Sequence, residues 1–383
     1  GQDNLGSSLY GSYAPNNFKV NFSDNGIINI PYVSMGANYP DVSWQKTTMK
    51  NIGLDFYLLS DRISGSFDFF RNDITRLLGY ASTSPLAIYE TRPINGGHYY
   101  RRGWELMVDT KNLVGEFTWD TSLTFSKTNS FWKERLPNYD YQIYQQRENE
   151  PMSAYYYYNV TGIINTDRSN MPESQKTLQA EAQLPGCPII EDKNKDGKID
   201  ENDVYMKDNS PAIYVGIGNT FTYKRFEFSF FMYGQFGIQK YNIAYSAAQA
   251  GPLAVDYPEN SNKFAYRLWN SQTNPNGSRP GLTIGKMGAL PGNAWVNADR
   301  ENASFMRMRN ITLAYNLAGN ILGSLQRYVR NIKVYVDAQN PFILTKFQGF
   351  DPEIYTGGGG ASGGSRGEYP QTRTFSLGAN ITF

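Results

Sequence analysis

The sequence predicts an all-β fold: an antiparallel transmembrane β-barrel, partial, of which this chain supplies about nine strands. Three observations lead there. Apolar and polar residues alternate with period two in segment after segment, the pattern of a strand with two unlike faces. The connections between those segments alternate short and long. The chain is also rich in Tyr (29), Phe (22) and Gly (36) but only 40% apolar, and it has no run of about 18 apolar residues that could cross a membrane as a helix.

The elements follow in order. "NIGLDFYL" sets Ile52, Leu54, Phe56 and Leu58 against Asp55 and Tyr57, and "ISGSFDFF" sets Ile63, Phe67 and Phe69 against Asp68. "GWELMVDT" sets Trp104, Leu106 and Val108 against Glu105 and Asp109, and "FTWDTSLTFS" sets Phe117, Trp119, Leu123 and Phe125 against Asp120. "IYVGIGNTFTY" carries Val215, Ile217 and Phe221 on one face, and "FEFSFFMYGQF" carries Phe226, Phe228, Phe230 and Met232 opposite Glu227. In "ITLAYNL" the apolar set is Ile311, Leu313, Tyr315 and Leu317, whereas Met306 and Met308 just upstream have the opposite phase. That switch predicts a β-bulge at Arg309–Asn310. "NIKVYVDAQ" and the closing "TFSLGANITF" complete the set.

The short connections are 59–62, 111–116 and 223–225, with 318–330 somewhat longer. The long ones are 77–100, 132–212, 243–302 and 346–372. Tight turns at one end and large excursions at the other are the layout of an outer-membrane barrel, whose long loops face outside. By the same alternation residues 1–43 form an external loop. An odd number of antiparallel strands cannot close on itself, and open edges in hydrocarbon leave backbone groups unpaired. The remaining strands are therefore expected from elsewhere, with this chain as the C-terminal part of a larger barrel. It opens at "GQDNLGSSLYGSY" without a signal peptide, as if cut from something longer. A soluble sandwich explains the alternation equally well, but not the short and long rhythm.

Net charge is +1, which argues against a nucleic-acid partner. One Cys (Cys187) and one His (His98) exclude an internal disulfide and make a Cys/His catalytic or transition-metal centre improbable. No carboxylate pair or Ser/His/Asp set stands out, so the chain reads as a non-enzyme. The Gly-rich stretch 355–370 lacks the ending of a phosphate loop and reads as a flexible external loop.

The sharpest motif is "DKNKDGKIDEND", residues 192–203 within the long connection 132–212. Asp192, Asn194 and Asp196 stand at positions one, three and five, and Gly197 stands at the turn. Lys198 offers a carbonyl, and Asp200 and Asp203 stand at nine and twelve. Oxygen donors at this spacing suit Ca²⁺ in a structural role. The alternative is a solvated Asp/Asn/Gly turn, and Asp rather than Glu at position twelve shortens its reach. "SAYYYYNVTG" presents Tyr155, Tyr156, Tyr157 and Tyr158, which read either as sugar-stacking faces or, more plainly, as loop packing. Tyr99, Tyr100, Trp269 and Trp295 carry the same two readings, and aromatic residues are also expected as a membrane-interface girdle.

Several blocks in the right order resemble the SusC-like TonB-dependent transporters of Bacteroidetes. They are residues 42–78 ("VSWQKTTMKNIGLDFYLLSDRISGSFDFFRNDITRLL"), 101–130 with its Arg102-Gly103-Trp104-Glu105 core, 192–237, 304–353 and the ending "TRTFSLGANITF". The resemblance covers nearly all of residues 1–383. It implies a barrel of about 22 strands in the outer membrane, an N-terminal plug, a TonB box and a SusD-like surface lipoprotein as partner. The plug and TonB box are not among these residues, so the TonB complex would be met through another part of the protein. By the resemblance the terminal aromatic strand also serves barrel insertion. The implied cargo is an oligosaccharide, with oligopeptides second.

Overall fold

A computed structural model describes residues 42–82, 91–137, 141–146, 149–242, 265–281, 287–298, 300–318, 323, 327–349, 351–353 and 371–383, together with the backbone of Tyr13–Pro15, Phe22–Asp24, Ile27–Asn29 and Tyr32–Ser34. These residues fall into two compact units. One holds Gly1–Lys50, Phe70–Arg102 and Ser130–Met152, and the other holds Asn51–Phe69, Gly103–Asn129 and Ser153–Phe383.

Fifteen strands carry the argument. They are β1 (Lys46–Leu58), β2 (Ile63–Ser82), β3 (Thr91–Leu113), β4 (Phe117–Glu134), β5 (Ala154–Tyr158), β6 (Val160–Ile163), β7 (Pro188–Ile190), β8 (Tyr205–Asp208), β9 (Ile213–Tyr223), β10 (Phe226–Phe236), β11 (Trp295–Val296), β12 (Phe305–Ala318), β13 (Asn331–Gln339), β14 (Ile343–Thr345) and β15 (Thr374–Thr382). Nine of them form one sheet in the order β15-β13-β12-β10-β9-β4-β3-β2-β1, with β14 continuing the edge beside β12. This is the expected meander, with sequence neighbours lying side by side.

Register follows the hydrophobic pattern. Phe221 stands opposite Trp119 and Phe228, Leu313 opposite Phe228 and Val336, and Val336 opposite Leu377. A slip of one residue on any strand would move its whole apolar set to the other face, so this agreement fixes the pairing. The bulge falls where the phase switches: Asn310 pairs Phe231 and Met308 pairs Met232, leaving Arg309 as the extra residue. The β9–β10 turn is Lys224-Arg225, and Lys224 takes φ 56°, the positive φ that two-residue hairpins favour.

The apolar face is not covered. Phe226 is 52% exposed, Leu377 83% and Phe383 78%, and among the described residues the other sheets have only two or three strands. A sandwich would have buried these side chains between stacked sheets, so that alternative is overturned. The opposite face is polar and internally paired. The Lys333 ammonium lies 2.8–2.9 Å from both carboxylate oxygens of Glu227 across β12, and the Thr312 hydroxyl donates to Asp337 at 2.6 Å. Gly378 makes room on this face for Tyr335, whose ring a Cβ there would meet at 2.5 Å.

Two expectations need correction. Most of the connection 77–100 is strand, because β2 and β3 run on to Ser82 and back from Thr91. Beyond the hydrocarbon neither strand face is lipid, so the alternation that marks a strand fades there although the ladder continues. Residues 1–43 include short antiparallel pairs, Tyr13–Pro15 with Tyr32–Ser34 and Phe22–Asp24 with Ile27–Asn29. His98 lies on β3, part-buried with Nε2 3.1 Å from Asp73. The Gly-rich stretch 355–370 lies outside the described residues.

Candidate functional site

The long connections build a small lobe of their own. Strand β5 lies between β8, antiparallel to it, and β11, parallel to it. Strand alternation puts Tyr155 and Tyr157 on one face and Tyr156 and Tyr158 on the other. On the first face the rings of Tyr155, Tyr157 and Tyr205 stack at 5.2 and 5.7 Å between centroids. The Arg300 guanidinium lies 3.7 Å over Tyr155, and the Lys193 ammonium lies 4.7 Å over Tyr205. Both ends of the stack are thus capped by a cation on a ring face. The Tyr155 hydroxyl donates to Gln239. Burial holds the phenols of Tyr155, Tyr157 and Tyr205 above their ordinary pKa, with Glu191 adding to the effect at the last two.

Tyr158 faces inward and is fully buried; its hydroxyl lies 3.0 Å from the carbonyls of both Asp200 and Pro291. Tyr100 is also buried, stacked on Phe131 at 5.4 Å and under the Arg71 guanidinium at 4.4 Å. Both are packing residues, so of the eight aromatic candidates these two offer no face to a ligand. Tyr99 meets Trp132 edge-on at 6.1 Å, in the same unit as Tyr100. Tyr156 pairs Met206 in register. Trp295, 61% exposed, pairs Tyr157 in register.

The acidic loop is folded by its own side chains. Asp192 accepts the N–H groups of Asp196 (3.2 Å) and Gly197 (2.9 Å), and Asp196 accepts the N–H of Lys198 (3.0 Å). Asn194 accepts the N–H of Asp196 at 3.2 Å and donates to its carboxylate at 3.0 Å. Asp200 caps the short turn Glu201–Asp203 through the Asn202 N–H at 2.8 Å. Asp203 is fully buried and receives the N–H groups of Lys193 (2.8 Å), Asn194 (3.4 Å) and Asp200 (2.9 Å). Gly197 takes φ 86° with open space where a Cβ would be, so backbone conformation alone calls for glycine there. Among the described residues no three His, Cys, Asp or Glu side chains converge as a metal cluster. The N–H bonds leave a lone pair on the side-chain oxygens of Asp192, Asn194, Asp196 and Asp200, so these and the Lys198 carbonyl keep donor capacity for a hard cation, whereas Asp203 Oδ1 already accepts two N–H groups.

Sequence reading missed a cleft of about 590 Å³ between β6 with its following turn, the loop 269–280 and Asn297. It brings Trp269 together with Asn165, Asn170, Asn276 and Asn297. Trp269 was already a sugar-stacking candidate in the sequence; what the sequence did not show was which residues would join it.

No family model matches the sequence. Among curated proteins it is 25% identical over 364 residues to "TonB-dependent receptor P3" of Formosa agariphila, covering 90% of this chain and 34% of that protein. It is 27% identical over 352 residues to "TonB-dependent receptor SusC" of Bacteroides thetaiotaomicron, covering 90% and 32%. The chain thus spans about a third of the length of these relatives. Among solved structures, "Structure of the RagAB peptide transporter" matches the fold with a TM-score of 0.70 at 19% identity, over 98% of this chain and 39% of that one. Sequence likeness and fold agree: the chain is similar to TonB-dependent receptors of the SusC kind, and its fold is that of a stretch of an outer-membrane β-barrel.

Proposed function

We propose that this chain supplies barrel wall and external loops to an importer of nutrient oligomers, with oligosaccharides as cargo. A SusD-like surface lipoprotein would close over the loops, and TonB-driven displacement of a plug built by other residues would open the path inward. The role is transport, not turnover. The observation that carries the reading is the sheet itself, with one face apolar and exposed at Phe226, Leu313, Val336 and Leu377, and the other polar and paired through Lys333–Glu227. That division is what a wall between lipid and an aqueous lumen requires.

In the same reading the 192–203 loop holds Ca²⁺ in a structural role and stiffens the lobe that presents the aromatic residues. Oligopeptide cargo is the second reading, favoured by the peptide transporter whose fold this chain shares. The test is growth of a strain deleted for the full-length receptor on neutral oligosaccharides or on peptides as sole carbon source. Loss of growth confined to an oligosaccharide supports the first reading; loss confined to peptides replaces it with the second.

A further inference from the structure

The Trp269 cleft is electrically quiet. Among the described lining residues only Arg279 is ionic, and its guanidinium is paired with Glu301 at 3.0 Å. The rest of the polar lining is carboxamide and hydroxyl, and one indole supplies the aromatic surface. The volume of about 590 Å³ lies in the range of small-molecule sites.

The cleft is also held in shape. Asn297 accepts the Val160 N–H at 3.1 Å and donates to Asn159 at 2.8 Å. Asn170 accepts the Asn165 N–H at 3.0 Å and donates to the Ile163 carbonyl at 2.8 Å. Trp269 donates its backbone N–H to Arg279 at 2.8 Å, and Gly281, whose Cβ would meet the Trp269 carbonyl at 2.7 Å, lets the chain pass close behind it. Three groups are left for a ligand. The side chains of Asn276 and Ser278 make no hydrogen bond to the described residues, and Oδ1 of Asn165 is buried without a partner.

We infer that this cleft is a binding subsite for a neutral pyranose oligosaccharide, with Trp269 as the platform under a sugar ring. The inference rests on the oligosaccharide reading above and adds the place and the charge class. A carboxamide sets a donor beside an acceptor, which matches a pair of neighbouring hydroxyls, while the indole face takes the C–H face of the ring. Sulfated or uronic glycans and charged peptide segments bring ions whose desolvation nothing among the described lining residues offsets, because the one cation there is already paired. Substrate discrimination by this cleft is therefore against charge.

The test uses the full-length receptor in detergent with its surface lipoprotein, titrated calorimetrically with malto-, cello-, xylo-, manno- and laminari-hexaose, oligogalacturonate and a tetra-alanine peptide. At least one neutral hexasaccharide binds, and oligogalacturonate and the peptide do not. Trp269→Ala weakens that binding about tenfold, and Trp269→Phe and Asn276→Ala weaken it less. Retained affinity in Trp269→Phe shows that the loop is still folded. If a hexasaccharide binds but both Trp269→Ala and Asn276→Ala leave Kd unchanged within about twofold, the subsite is wrong while the transport reading stands. If none of the five binds, both fall.

Discussion

The Tyr158 hydroxyl lies 3.0 Å from the carbonyl oxygen of Asp200, so the tyrosine strand and the acidic loop share one buried contact. The same hydroxyl is equally close to Pro291, which brings the approach to Trp295 into the arrangement. Three pieces far apart in sequence thus depend on one phenol.

Tyr158→Phe keeps the ring and removes the donor, so the Asp200 carbonyl keeps only the Asp203 N–H at 3.1 Å and the Pro291 carbonyl loses its phenol partner inside the lobe. A loss of about 1–3 kcal/mol from the lobe is expected. Limited proteolysis of the receptor should show faster cleavage within 192–212; an unchanged rate would mean that the ring alone holds the loop.

Calcium should bind at 192–203 with a half-saturation of roughly 10⁻⁴–10⁻³ M, the range of extracellular modules. Asp192→Asn or Asp196→Asn removes a charged donor while keeping the turn, and either should weaken binding about tenfold. Calorimetry of the receptor with and without these substitutions decides it. No heat of binding at several times that concentration would dismiss the metal.

Arg307 is buried and holds both oxygens of Asp351 at 2.7 and 2.8 Å, with Glu353 on its Nε. The Tyr233 hydroxyl donates to the same Glu353. Arg307→Ala strands two carboxylates in a covered site and should destabilise by about 3–5 kcal/mol. Arg307→Lys keeps the charge but not the fork, so it should lie between. Unfolding midpoints in detergent give the order.

Leu313→Lys on the apolar face should cost about 2–4 kcal/mol if the site lies near mid-depth in lipid, while Ser229→Lys on the opposite face should cost little. Urea unfolding in liposomes compares them directly. Equal costs would contradict lipid as the neighbour of the Leu313 face.

The stacked phenols give a pH dependence. Their folded pKa values lie above the unfolded one, because burial disfavours the phenolate. That contribution to stability is complete below the ordinary phenol pKa of about 10 and is lost as pH rises through the folded values. Tyrosinate absorbance should therefore rise late for this stack, and the lobe should loosen in the same window. Tyr157→Phe should remove part of the late step.

Much of the wall was legible because a strand between lipid and water advertises itself: every second residue must be apolar. The bulge at Arg309 could be placed from sequence for the same reason, since Met308 and Ile311 must share a face although they are an odd number apart. The acidic loop was legible as a motif because its spacing is local. The cleft was not, because Asn165, Trp269 and Asn297 come from three stretches whose meeting depends on long-range pairing. Tyr158 and Tyr156 share a strand face, yet one is fully buried and the other half-buried, and nothing in a run of four tyrosines says where along that face the other loops will cover it.

By itself, then, the sequence determined which segments are strands, which of their faces is apolar and where the phase breaks, because those properties repeat every second residue against one uniform environment. Tertiary structure alone decided what the long connections build. There the neighbours are other loops, each supplied from a distant part of the chain, and burial follows from where those loops meet and not from any local period.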